Sequence, residues 1–162
     1  MKKFSSIVVF LIAFAIVLAG LPQTIRSDED DNIPLPTSPE KASDYLQTWK
    51  HESYTEDLTI TISATEFHRR STFGSGSEYK LLYPVWTEVI CPDDIVTYLG
   101  GFDVENYKGV SGYAITGTVN RIHGNWPVNG ISITEYVFLN KYDKTKMLWH
   151  NFGNTNRELT IN

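Results

Sequence analysis

The segment Leu58–Ile62 constrains the fold most, because apolar and hydroxyl side chains alternate along it without interruption. Leu58, Ile60 and Ile62 are separated by single threonines. Successive side chains of a β-strand point to opposite faces, so this pattern predicts a strand with one buried face and its threonines in water.

A short helix is predicted upstream of this strand. Ser38 can cap its first turn, Pro39 suits that turn, and Glu40 lies at the positive end of the helix dipole. Apolar residues then recur at helical spacing from Ala42 to Trp49. We expect this helix to close one end of a barrel beside Trp49.

About eight strands are predicted in all, joined by short turns with no helix between them. Pro84 interrupts one strand or restricts it to an edge, and Asn129-Gly130 is a strong hairpin signal. Further segments of strand type are Tyr79–Tyr83, Trp86–Ile90, Ile95–Leu99, Val110–Val119, Ile131–Leu139, Met147–Phe152 and Arg157–Ile161. This order indicates an all-β fold, an antiparallel meander that removes its edges by closing into a barrel.

The amino-terminal residues have the organisation of a secretory signal peptide. Lys2 and Lys3 precede a long apolar run, and small residues follow at Ala19 and Gly20. Residues 1–20 are therefore predicted to be cleaved, giving a secreted or periplasmic protein; the alternative is an uncleaved membrane anchor. Position 21 is Leu, so a lipoprotein cysteine is absent there.

Residues 21–37 are predicted to be a solvated linker, because an acidic run is followed by closely spaced prolines. The folded domain then comprises residues 38–162. The chain has a formal charge of −5 and one cysteine, Cys91, which excludes an intramolecular disulfide. Arg69-Arg70 is the only local basic cluster and is interpreted as a solvated hairpin face, so no nucleic-acid partner is expected.

No catalytic, metal or cofactor site is predicted. A nucleophile elbow is absent, and Cys91 lies in a turn with no base near it in sequence. The four histidines have no close ligand spacing: His51, His68, His123 and His150. The chain is therefore expected not to be an enzyme.

The chain resembles small bacterial lipocalin-like (calycin) proteins. The resemblance rests on Trp49 in the first strand after a short helix, followed by a polar turn and the Thr59–Ile62 strand. Lipocalins have a glycine where this chain has Gln47, and their second motif has an echo in Thr134-Glu135-Tyr136. The resemblance implies a ligand-binding barrel in which a late arginine, here Arg157, covers the first-strand tryptophan.

An eight-stranded barrel can either fill its interior with side chains or hold one small ligand. In the hollow case a small apolar ligand would be bound by inward aromatic and aliphatic residues. The predicted ligand contacts are Trp49, Ile60, Ile62, Phe67, Trp86, Tyr113, Ile133 and Val137. In the filled case the protein would be an interaction module, with a protein partner bound through Trp126 in the loop before Asn129-Gly130.

Overall fold

The computed structural model describes residues 41–93, 102–151 and 155–162, all of which belong to one unit of the chain, Leu35–Asn162. The predicted signal peptide and linker, the predicted helix start Ser38–Glu40 and the predicted strand Ile95–Leu99 lie outside the described residues, as does Phe152 at the end of another predicted strand.

Nine antiparallel strands make up the described part of the chain, and eight of them close into a barrel. The ladder runs β1-β2-β3-β4-β6-β7-β8-β9 and returns from β9 to β1. This confirms the predicted all-β closed barrel. The strands are β1 Thr48–Glu52, β2 Asp57–Ile62, β3 Glu66–Ser71, β4 Ser77–Leu82, β5 Val85–Ile90, β6 Ser111–His123, β7 Ser132–Leu139, β8 Lys146–Asn151 and β9 Asn156–Ile161.

The ninth strand, β5, continues the line of β4 along the same edge of β6. Leu81 of β4 is opposite Val119, and Val85 of β5 is opposite Thr116. Between them Tyr83 has φ of 48°, and the proline predicted to interrupt this strand follows it. β5 is therefore an outer strand, paired within the described residues to β6 alone.

The predicted amino-terminal helix is one turn of 3-10 helix, Ala42–Tyr45. Its last residue, Tyr45, is fully buried and makes an edge-to-face contact with Tyr113. The Trp49 indole N–H donates to the Tyr45 carbonyl at 3.1 Å, and the Leu139 backbone N–H donates to the Tyr45 hydroxyl at 3.2 Å. This turn closes one end of the barrel beside Trp49, as predicted.

Asn129-Gly130 completes the β6–β7 connection, as the sequence predicted. Gly130 has φ of 85°, a conformation that glycine adopts without steric cost. Its N–H donates to the Val119 carbonyl at 2.9 Å, while the Asn129 side chain accepts from the Arg121 N–H at 2.8 Å. The turn therefore fixes the register between β6 and β7.

A second apolar cluster covers the outer face of β7 and β8. It contains Cys91, Tyr107, Val110, Phe138 and Leu148. Gly112 lies against this cluster, and a Cβ there would come within 2.2 Å of the Val137 carbonyl oxygen. Only glycine fits at that position of β6.

Candidate functional site

The end of the barrel opposite Tyr45 holds a cavity of about 560 Å³, which we call the cup. Residues of four connections or the strand ends beside them line it: β1–β2, β3–β4, β6–β7 and β8–β9. Hairpin ends that meet at one rim of a barrel produce this convergence. The cup is lined by Glu56, Arg69, Ser71, Phe73, Ser75, Gly76, Ser77, Asn125, Trp126, Asn151, Thr155 and Arg157.

Strand alternation places Arg69 inside the barrel. In β3 it lies between Phe67 and Ser71, and it is paired with Ile60 on β2 and with Tyr79 on β4. Directly opposite residues of an antiparallel pair share one face of the sheet, so Arg69 shares the inward face with these two buried side chains. Its residue exposure is only 7%.

Arg69 has few hydrogen-bond partners for a buried guanidinium. One Nη1 group donates to the Ser77 hydroxyl at 2.7 Å, and the guanidinium lies over the rings of Tyr79 and Trp149 at 5.7 and 5.3 Å from their centroids. Among the described residues, its Nε has no hydrogen-bond partner. A guanidinium has five donors, so Arg69 keeps donor capacity at the wall of the cup.

Glu56 is the acidic partner of both cup arginines. Its carboxylate accepts from Arg157 Nε at 2.9 Å and from the Ser71 hydroxyl at 2.6 Å, but Arg69 Nη2 is 3.8 Å away. Burial alone would raise the pKa of Glu56, yet the two hydrogen bonds and both arginine charges lower it below its usual value. Glu56 is therefore ionised at neutral pH and bonded mainly to Arg157.

A second carboxyl group, that of Glu135, lies below Arg69 and is not part of the lining. It is fully buried, and it accepts hydrogen bonds from the Tyr79 hydroxyl and, at 2.8 Å, from the Trp149 indole N–H. Burial raises the pKa of Glu135 to about 7, although the two donors and the Arg69 charge oppose this. Burial and the neighbouring Glu135 also raise the pKa of Tyr79 well above its usual value.

The rim of the cup carries two aromatic side chains. Phe73 in the β3–β4 loop is 63% exposed, and Trp126 in the β6–β7 loop is 43% exposed. Both line the cavity, so the cup combines an apolar rim with a polar floor.

The eight predicted ligand contacts lie together in the barrel core. Seven of them are buried members of one cluster, and Trp86 is half-buried against it. None of them lines the cup. Their role as ligand contacts stays a prediction.

Trp126 and Arg157 were singled out in the sequence for other roles, but Arg69, Glu56 and Glu135 were missed because strand alternation and pairing, not a local motif, place them inside. The solvated interpretation of Arg69-Arg70 is right for Arg70, which is exposed, but wrong for Arg69. Glu135 lies between the inward residues Ile133 and Val137, a spacing of two that would have placed it inside. Arg157, which the lipocalin resemblance places over Trp49, pairs with Glu56 and lines the cup.

Among the other sequence candidates, His123 adjoins the cup, since its Nε2 lies 3.1 Å from the carbonyl oxygen of Ser75, a lining residue. Cys91 is buried in the outer cluster, and the His150 ring bonds to Asn156 at 2.6 Å. Within the described ranges, no group of three or more His, Cys, Asp or Glu side chains is arranged to hold a metal ion.

The fold and the cup together define a class: a closed eight-stranded antiparallel barrel, plugged at one end and carrying a polar cavity at the other. No family model, no curated protein and no solved structure matches the chain. In the part of the chain that the structure describes, no helix is both long and apolar enough to cross a membrane.

Proposed function

We propose that the protein is an exported, non-enzymatic barrel of lipocalin-like type that binds a small molecule in the cup. The observation that carries this proposal is the cup itself, a partly open cavity of about 560 Å³ at one barrel end. Small-molecule sites typically have volumes of ~300–1,000 Å³ and a few convergent polar groups. A plugged opposite end, formed around Tyr45, is consistent with entry through the cup.

The composition of the cup supports an amphipathic ligand rather than the purely apolar one expected from the aromatic content. The aromatic and aliphatic residues of the barrel pack against one another, whereas the cup presents two arginines, serines and asparagines below an aromatic rim. A ligand with a polar group at the floor and an apolar part at the rim fits this division.

Filling the cup tests the proposal. Thr155 lines the cup, and its side chain is half-buried, so Thr155→Trp should occupy the cavity. Thr65→Trp is the matched control, since Thr65 is exposed in the β2–β3 turn at the plugged end. We expect small molecules found by native mass spectrometry in protein from its own host to be lost from Thr155→Trp only. Equal retention by both variants would contradict a site in the cup.

Export has a separate test. Intact-mass analysis of the extracellular or periplasmic protein should show that the chain begins at Gly20 or Leu21, as the small residues Ala19 and Gly20 predict. A mass that retains residues 1–19 would favour the uncleaved anchor instead.

An interaction module is the second candidate, favoured by the two exposed rings at one rim. Trp126 and Phe73 are of the residue type that anchors protein interfaces. Because Trp126 also lines the cup, Trp126→Ala would affect both functions. Thr155→Trp separates them: an interaction module keeps its partner in this variant and loses it in Trp126→Ala, whereas a small-molecule site is blocked by Thr155→Trp.

A further inference from the structure

We infer that the ligand of the cup is a compact organic acid with one negative charge and an aromatic body, bound with its acid group at Arg69. This inference rests on the proposed function and adds the chemical class of the ligand.

The net charge of the cup lining indicates that the ligand carries a single negative charge. The cup is lined by Arg69, Arg157 and Glu56, so the charged side chains of its lining sum to +1 (two positive and one negative), and Glu135 beneath them adds no charge while it is protonated. Arg157 has a close hydrogen bond to Glu56, whereas Arg69 is 3.8 Å from that carboxylate and is the less neutralised cation. A buried cation without a bonded anion is costly, so one carboxylate at Arg69 balances the site.

The donors of Arg69 favour a carboxylate in particular. Its guanidinium lies at the cavity wall, where Nη2 is 3.8 Å from the nearest Glu56 oxygen; its Nε is itself buried and has no partner within the described residues. A carboxylate presents two acceptor oxygens that match the planar fork of a guanidinium. The hydroxyl of Ser77, which already accepts from Arg69 Nη1, holds the fork in place.

The layer below Arg69 limits the length of the ligand. Three fully buried residues form this layer: Tyr79, Glu135 and Trp149. The carboxyl group of Glu135 accepts hydrogen bonds from Tyr79 and Trp149, and the rings of these two residues lie under the Arg69 guanidinium. Beneath them the core continues with fully buried Trp49 and Phe67. A long acyl chain therefore has no course into the barrel, and the body of the ligand must stay above Arg69.

The rim supplies the contact for that body. Phe73 and Trp126 line the cup from two different loops and are partly open to solvent. Aromatic rings prefer stacked or edge-to-face contacts with other rings, so a planar aromatic body is favoured over a flexible aliphatic one.

Isothermal titration calorimetry with matched probes tests the inference. Indole-3-acetate and its neutral amide have the same body and differ in the acid group; inorganic phosphate and palmitate probe higher charge and greater length. We expect the acid to bind at least about tenfold more tightly than the amide, because charge-assisted hydrogen bonds are lost with the charge. Phosphate and palmitate should both bind more weakly than indole-3-acetate.

Neighbouring arginines provide matched variants. Arg69→Met should abolish the preference for acid over amide, whereas Arg70→Met, one residue along β3 on the outer face, should keep it. Should Arg69→Met fail to fold, Arg69→Lys keeps the charge without the planar fork and should still reduce the preference. Trp126→Ala should weaken the acid and the amide alike.

The possible outcomes separate the inference from the proposed function. Equal binding of acid and amide, blocked by Thr155→Trp, would overturn the acid class and leave a small-molecule site. If palmitate bound most tightly, the ligand would not need to be compact. If phosphate bound most tightly, the ligand would not be limited to one negative charge. If no probe is bound in a way that Thr155→Trp blocks, the inference fails, and native mass spectrometry of wild type and Thr155→Trp from the protein's own host decides whether the proposed function fails as well.

Discussion

Glu135→Gln should remove most of the loss of stability that the protein shows as the pH rises towards neutrality. The carboxyl group is fully buried, and its pKa in the folded state is raised from 4.5 to about 7. A glutamine retains the shape of the protonated acid, with one acceptor for the Trp149 N–H and one donor towards Tyr79.

Proton binding by Glu135 determines whether the free energy of unfolding rises or falls with pH. The folded protein holds the Glu135 proton more tightly than the unfolded chain does. Proton binding therefore stabilises the fold fully below the pKa of Glu135 in the unfolded chain, and this stabilisation is lost as the pH rises through the pKa in the folded protein. Raising a pKa from 4.5 to about 7 is equivalent to about 3 kcal/mol, at about 1.4 kcal/mol per tenfold change in proton affinity. Most of that loss, about 2 to 3 kcal/mol, falls between pH 5 and pH 8.

Urea unfolding at pH 5 and pH 8, at constant ionic strength, measures this difference. We expect the free energy of unfolding of the wild-type protein to fall by about 2 to 3 kcal/mol more than that of Glu135→Gln. Glu88→Gln, at an exposed position of β5, is the matched control and should follow the wild type. Parallel pH profiles for wild type and Glu135→Gln would refute the reasoning.

Three further predictions concern the same barrel. Glu56→Gln should lower the free energy of unfolding in urea by about 3 kcal/mol, because two arginines lose their buried carboxylate; an unchanged midpoint would mean that the ion pairs contribute nothing. Gly112→Ala should cost about 3 kcal/mol by overpacking, since its Cβ would lie 2.2 Å from the Val137 oxygen, and thermal unfolding would check this. An acid bound at Arg69 should bind about tenfold more weakly at pH 8 than at pH 6, because ionised Glu135 offsets the arginine charge; calorimetry of Glu135→Gln should show no such change.

The barrel was predictable because its signals are local. Alternation in Leu58–Ile62, the interruption at Pro84 and the turn at Asn129-Gly130 each need only a few neighbouring residues, and each is found in the structure. Of the predicted helix, the described residues form a single turn, Ala42–Tyr45, and Trp49 already belongs to the first strand. The prediction that this element closes one end of the barrel was still correct, because one turn is enough to bury Tyr45 beside Trp49.

The cup was not predictable in the same way, because it depends on register. Arg69 and Glu56 are 13 positions apart in sequence and Arg157 is far beyond both, yet the closure of β9 onto β1 brings them together. A sequence reader sees Arg69 beside Arg70 and assigns both to solvent. Only the pairing of Arg69 with Ile60 and Tyr79 shows that one of the two must be inside.

The polar layer marks where the packed apolar core ends and the cup begins. Arg69, Tyr79, Glu135 and Trp149 form a stack that ends the apolar core, since each polar atom must find a partner that an aliphatic side chain cannot offer. An ionised Glu135 lowers stability at neutral pH, and an apolar residue at that position would avoid the loss. In return for this loss of stability, the layer holds the Arg69 guanidinium at the wall of the cup, where an acid group of a ligand would bind. Ionisation of Glu135 thus lowers both stability and anion binding, and by linkage an anion bound at Arg69 would favour protonated Glu135 and offset part of the loss of stability at neutral pH.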